Sequence, residues 1–98
     1  MTKKNYINLA NKAANIQINE LKKIKKIFNN SFINAVDLIL NTKGKVVCAG
    51  IGKSGLIARK VSATFSSVGI PSFFCDPAQA LHGDMGQIEK KDILIIFS

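Results

Sequence analysis

Val46-Val47-Cys48-Ala49-Gly50-Ile51-Gly52-Lys53-Ser54-Gly55 is the stretch from which the fold can be read. Its first four residues are continuously apolar, as in a strand covered on both faces. Three glycines follow within six residues. Then Ile57, Val61, Phe65 and Val68 recur three or four apart as far as Gly69, which is the period of one helix face. Buried strand, glycine-rich turn and helix make one β–α unit. Pro71 ends the helix, because its ring and missing N–H cannot be accommodated in a helix interior. Ser72-Phe73-Phe74-Cys75 reads as a second strand, and Asp76-Pro77 as a turn. Ala78-Gln79-Ala80-Leu81 makes a short helix ahead of His82-Gly83-Asp84-Met85-Gly86. Glu89-Lys90-Lys91-Asp92 is a charged turn, and Ile93 to Phe97 is a third strand. Strands alternating with helices pair in parallel through right-handed crossovers.

Working back toward the N-terminus, residues 2–29 read as an amphipathic helix. Ile7, Ala10, Ala14, Ile18, Leu21, Ile24 and Phe28 share one face. Asn29-Asn30-Ser31 breaks that pattern, with Asn30 or Ser31 expected to cap a second helix that carries Phe32, Ile33, Val36, Ile39 and Leu40. Gly44 suits the left-handed position that closes such a helix. The expected fold class is therefore α/β. An N-terminal helical segment (1–44) precedes a parallel three-stranded βαβ(α)β half of a doubly wound sheet (45–98). At 98 residues the chain is one small domain at most. A third strand with no helix after it leaves one sheet face short of cover. The expectation is a truncated, N-terminal part of a larger domain, with Leu94–Phe97 an apolar strand that lacks one neighbour.

Charge and composition exclude several classes. The net charge is +8, but residues 1–45 hold nine Lys against Glu20 and Asp37, so almost all the excess lies on the helices. Thirteen of the 14 basic residues are Lys. Base readout favours the bidentate fork of Arg, whereas Lys-rich helix faces read as solvated surface, so no nucleic-acid partner is expected. The longest apolar run, Ile93–Phe97, is far below the ~18–20 residues of a membrane span, and no membrane partner is expected. The basic opening Met1-Thr2-Lys3-Lys4 has no apolar core after it, which argues against a signal peptide and for the cytoplasm. Cys48 and Cys75 form no C-x-x-C pair, and His82 is the only histidine. A zinc site is therefore not expected, and both thiols read as buried. No cofactor is expected.

The glycine loop carries the chemistry. A helix N-terminus presents unpaired N–H groups to an anion, and glycines allow close approach and positive φ. Ser54 adds a hydroxyl and Lys53 a mobile cation. A Walker A loop is rejected, since G-x-x-x-x-G-K-[ST] would need glycine where Val47 stands. The string does satisfy G-x-G-x-x-G, and Asp76 lies 21 residues beyond Gly55, as in a dinucleotide fold, although two leading helices do not fit such a start. A sugar-phosphate site, or a plain strand–helix turn, are the other readings.

Two motifs together resemble the sugar isomerase (SIS) domain family, and within it the arabinose 5-phosphate isomerases. They are Val47-Cys48-Ala49-Gly50-Ile51-Gly52-Lys53-Ser54-Gly55-Leu56-Ile57-Ala58-Arg59-Lys60 and Phe73-Phe74-Cys75-Asp76-Pro77-Ala78-Gln79-Ala80-Leu81-His82-Gly83-Asp84-Met85-Gly86. The resemblance implies a cytoplasmic homo-oligomer, usually a tetramer. It implies interconversion of D-ribulose 5-phosphate and D-arabinose 5-phosphate for 3-deoxy-D-manno-octulosonate and lipopolysaccharide biosynthesis. It also implies that the phosphate loop and carboxylates completing the site lie in later segments of the family's full chain, so that this piece is expected to be inactive. Lys53 and His82 match the family's active-site Lys and His. Lys53 would stabilise an oxyanion or hold phosphate. His82 would contact hydroxyls, assist ring opening or bind an inhibitory metal. Gly50, Gly52, Ser54, Gly55 and Asp84 would bind substrate or phosphate, Asp84 also being able to orient His82 or cap a turn. A non-catalytic sugar-phosphate-binding SIS module is the alternative from another functional class.

Overall fold

The computed structural model of the protein describes residues 2–81 and 83–98, with the backbone alone at residue 84. The chain divides into two compact units, residues 1–35 and 36–98.

The first unit holds helix α1 (Lys3–Ile24) and the start of α2 (Asn30–Asn41). Thr2 caps α1, its hydroxyl accepting the Asn5 N–H at 3.3 Å. The helix ends at Ile24, several residues short of the expected 29. Lys22, Lys23, Lys25 and Lys26 crowd its end, and like charges three and four apart oppose further winding. Three-residue turns at Lys26 and Ile27 follow, bonded to Lys23 and Ile24 carbonyls. Asn29, rather than Asn30 or Ser31, caps α2: its Oδ1 accepts the N–H of Ser31 at 3.0 Å and of Phe32 at 3.3 Å. Phe28 and Phe32 meet across this cap with ring centroids 4.8 Å apart.

The second unit is a parallel sheet with its covering helices. Strand β1 (Val46–Gly50) lies between β2 (Ser72–Cys75) and β3 (Ile93–Phe97). Val46 pairs with Ser72 on one side and Ile93 on the other, and the register runs on to Ala49–Cys75 and Gly50–Phe97. All five residues of β1 are buried, as its unbroken apolar run requires. Helix α3 (Gly52–Ser67) crosses from β1 to β2, and α4 (Pro77–Ala80) and a 3-10 turn (Asp84–Gln87) lie between β2 and β3. A dinucleotide fold places its second and third strands on the same side of the first. Here they flank it, so the topology departs from that alternative.

Val46, Cys48 and Ala58 form the core on the α3 face, with Ile39, Val61, Phe65, Phe74, Ile95 and Phe97 packed round it. The buried Ser62 is satisfied within this layer. Ser72 Oγ donates to the Val46 carbonyl at 2.6 Å, which leaves Ser62 to donate to Ser72 at 2.9 Å. Val47, Ala49 and Cys75 make a second, smaller core on the other face with Phe73, Ala80 and Ile88. There Leu94 and Ile96 of β3 stay exposed.

The amino edge of the sheet is latched by Asp92. Its side chain is fully buried; Oδ1 accepts the Lys45 N–H and Oδ2 the Glu89 N–H, both at 2.7 Å, and Lys45 Nζ lies 3.5 Å away. Thr42 Oγ1 donates to the Lys91 carbonyl at 2.7 Å. Gly44 is not left-handed, contrary to expectation. It is needed for closeness instead, since a Cβ there would stand 2.5 Å from both Asp92 Oδ1 and the Lys91 carbonyl oxygen.

Candidate functional site

At the carboxyl edge, β1 ends on Gly50 and the chain enters α3 through Ile51, an extended residue with no side-chain cap. The three glycines of the loop have different jobs. A Cβ on Gly50 would lie 2.8 Å from the Ser54 carbonyl oxygen, and one on Gly55 would lie 2.7 Å from the Gly50 carbonyl oxygen. These two glycines let the first helical turn fold back on the end of its own strand. Gly52 faces open space but has φ +61°, a left-handed conformation that a side chain would strain. Among the described residues, the first α3 amide with an intrachain acceptor is that of Gly55, to Ile51 O at 3.3 Å. The N–H groups of Gly52, Lys53 and Ser54 belong to the unsatisfied first turn. No acidic residue stands there to offset the partial positive charge. Lys53, a cation at the positive end of a helix, works against helix stability, so its reason must lie outside the helix.

Among the described residues, two clefts flank this loop. The larger, of 610 Å³, lies on the Leu94–Ile96 face and is walled by Ser54, Leu81, Met85 and those two strand residues. The smaller, of 310 Å³, lies on the α3 face. It is walled by Gly52, Gly55, Arg59, Phe74 and Asp76. Gly50 borders both. Thus Gly50, Gly52, Ser54 and Gly55 are gathered at one edge as expected. Lys53 is exposed in the first turn of α3 and is part of neither wall.

Residues 76–81 and Met85 reach the same edge. Asp76 caps α4, its Oδ1 accepting the Ala78 N–H at 2.9 Å, with Pro77 in the first helical position where its missing N–H costs nothing. Gly83 has φ +115°. That conformation explains why glycine separates His82 from Asp84: only glycine turns the backbone this way without strain. His82, expected as a catalytic and metal-binding residue, lies outside the described residues, as does the Asp84 side chain. Among the described residues no cluster of three metal-ligating side chains occurs.

Two glutamates and a cysteine are engaged away from this edge. Glu20 pairs with Lys23 at 3.1 Å and Glu89 with Lys91 at 3.4 Å, all on the exposed surface. Burial pushes the Cys48 thiol above its ordinary value, a shift partly opposed by the Ser72 hydroxyl 4.0 Å away, so it is not a thiolate nucleophile near neutral pH. Arg59, the chain's single arginine, escaped the sequence reading as a site residue. Its guanidinium carbon lies 4.0 Å from the centroid of Phe74, at the wall of the smaller cleft. The signal was available: Gly52, Gly55 and Arg59, three and four apart, share one face of α3.

Among the described residues, no helix is long and apolar enough to cross a membrane. The chain is 40% identical over 92 residues to arabinose 5-phosphate isomerase GutQ of Escherichia coli K12, an alignment that covers 94% of this chain and 29% of that protein. Among solved structures it matches an Escherichia coli CFT073 protein in complex with arabinose 5-phosphate, with a TM-score of 0.79 and 39% identity. It also matches a Listeria monocytogenes protein with a TM-score of 0.90 and 29% identity. Each match covers 98% of this chain and 51% of the other. The chain therefore spans under a third of the curated relative and about half of the solved ones. The SIS domain pattern matches residues 39–98, which hold the whole sheet, the glycine loop and both clefts, and the chain belongs to the SIS domain family.

Proposed function

We propose that this chain supplies the β1–α3 part of a sugar-phosphate isomerase. The reaction is interconversion of D-ribulose 5-phosphate and D-arabinose 5-phosphate, in the cytoplasm, on the route to 3-deoxy-D-manno-octulosonate and lipopolysaccharide, by a homo-oligomer. The observation that carries the reading is the Gly50–Gly55 loop at the carboxyl edge of a parallel sheet, sharing its clefts with Asp76, Pro77, Ala78, Ala80 and Leu81. Similarity to GutQ across nearly the whole chain supports the choice of substrate. In this reading Gly50, Gly52, Ser54 and Gly55 hold the phosphorylated pentose. Lys53 stabilises the developing enediolate oxygen or the phosphate. His82 handles the sugar hydroxyls and ring opening, and Asp84 orients it or caps the turn. The SIS domain occupies residues 45–98 after a helical segment of residues 1–44.

Isomerisation moves a proton between C1 and C2 and needs a base within hydrogen-bond reach of the carbon acid. Among the described residues, Asp76 is the carboxylate on a cleft wall at this edge, and its Oδ1 is engaged by the Ala78 N–H. Asp92 is locked at the opposite edge, and Glu20 and Glu89 are in surface ion pairs. The 98-residue chain is therefore expected to bind substrate with little or no turnover. Isothermal titration with D-arabinose 5-phosphate against NAD tests the binding. Heat with the sugar phosphate alone is expected, and heat with NAD alone overturns the reading. NMR of D-ribulose 5-phosphate with the chain tests turnover, and conversion at an ordinary enzymatic rate contradicts the expected inactivity. That no unengaged carboxylate borders the clefts among the described residues favours, as second reading, a binding-only SIS module. A longer chain with the same loop that binds but still fails to convert substrate would select it.

A further inference from the structure

We propose that the smaller cleft, between α3 and the β2–α4 turn, is a phosphoryl-binding subsite and that Arg59 is the residue that reads its charge. The inference deepens the sugar-phosphate reading and rests on it. Arg59 lies with its guanidinium carbon 4.0 Å from the Phe74 centroid, a stack that restricts the orientation of the planar group. Among the described residues, no carboxylate forms an ion pair with it, whereas Lys23, Lys45 and Lys91 each have one. A guanidinium has five N–H donors in a fixed fork, the geometry that matches phosphate oxygens in pairs. It borders a cleft of 310 Å³, near the lower end of the roughly 300–1,000 Å³ usual for small ligands.

The rest of the wall narrows the ligand. Gly52 faces open space on this wall, so no side chain there obstructs a bulky tetrahedral group. Asp76 contributes a carboxylate whose Oδ1 is already turned to the Ala78 amide. Its other oxygen can accept a hydrogen bond from a sugar hydroxyl, and its charge confines the phosphoryl group to the Arg59 side of the cleft. A cation and a hydroxyl acceptor in one small cleft suit a polyhydroxylated phosphate. The larger cleft is lined mostly by apolar side chains, among them Leu81, Met85, Leu94 and Ile96, with the hydroxyls of Ser54 and Ser98 and no cationic side chain.

The test is a titration of the ¹⁵N-labelled 98-residue chain with D-arabinose 5-phosphate, inorganic phosphate and D-arabinose, followed by NMR. The two phosphates are expected to shift the Gly52 and Gly55 amides and the Arg59 Nε signal, and D-arabinose at the same concentration is not. R59Q is expected to weaken both phosphates roughly 10- to 100-fold, the range for a lost charge-assisted contact, and R59K to weaken them less. Arg59 is exposed, so neither substitution opens the core. D76N keeps a helix-capping side chain, and is expected to weaken the sugar phosphate relative to inorganic phosphate. Unchanged binding in R59Q, or shifts confined to Ala80, Met85 and Leu94, overturns the subsite and leaves the sugar-phosphate reading standing. No binding of either phosphate by the wild-type chain overturns both. Binding of inorganic phosphate without competition from the sugar phosphate supports the subsite and assigns it to the free anion.

Discussion

Gly52 and Gly55 stand three residues apart, and substitution separates two causes of glycine use. At Gly52 a Cβ meets nothing within 4 Å, so G52A suffers only from φ +61°, a strain of about 1–2 kcal/mol. At Gly55 the added carbon runs into the Gly50 carbonyl oxygen at 2.7 Å, and backbone on both sides must give way. G55A is therefore expected to be the more damaging. Urea melts check this: the midpoint falls in both variants, further in G55A, with an unchanged slope as long as each remains two-state. The sequence showed that glycines were needed here and could not show why. A positive φ and a close approach leave the same letter. Gly44 is the clearest case, because its place after a helix suggested a left-handed cap when the true constraint is Asp92, 48 residues away. Arg59 was hidden for a related reason: its partner Phe74 comes from the next strand, and no local spacing reports that meeting.

Among the elements, the link between the end of α2 and the start of β3 makes the sharpest prediction. Backbone N–H groups of Glu89 and Lys45, with the Lys45 ammonium adding attraction, hold the Asp92 carboxyl below the ordinary carboxylate range. A carboxyl depressed in the folded state stabilises the fold above its unfolded pKa. That contribution disappears as pH falls through the lower, folded value. The wild-type chain should therefore lose thermal stability on acidification. D92N, which cannot accept both N–H groups as a charged acceptor, should melt lower at neutral pH and lose its difference from wild type in acid. Circular dichroism melts at both pH values decide it, and a constant gap between the two proteins would remove Asp92 from the account. At this scale the β–α–β order was legible, because unbroken apolar runs and helical spacing alternate cleanly from Val46 onward. The end of α1 was not. The apolar spacing continues to Phe28, but the lysines between stop the helix at Ile24.

For the molecule as a whole, the decisive feature is the unequal cover of the two sheet faces. Ile93 to Phe97 is apolar at every position, so its sequence does not say which residues point where. The fold sends Ile95 and Phe97 into the α3-side core and leaves Leu94 and Ile96 on the other face, 47% and 68% exposed. Leu81 and Met85 beside them are 85% and 60% exposed. Four large apolar side chains round a 610 Å³ cleft form a patch of the kind that marks an association surface. β3 is also the outer strand of its sheet, with a row of backbone groups unpaired on one side. The isolated chain should therefore associate as its concentration rises, and an L94K/I96K pair should suppress this. Both residues are already exposed, so the lysines need not enter the core. Sedimentation velocity over a range of concentrations gives the answer. A shift to larger species in wild type, absent in the double variant, places the contact on this face. Equal association in both would move it to another surface, and a wild-type monomer at every concentration would mean that the exposed patch tolerates water unaided.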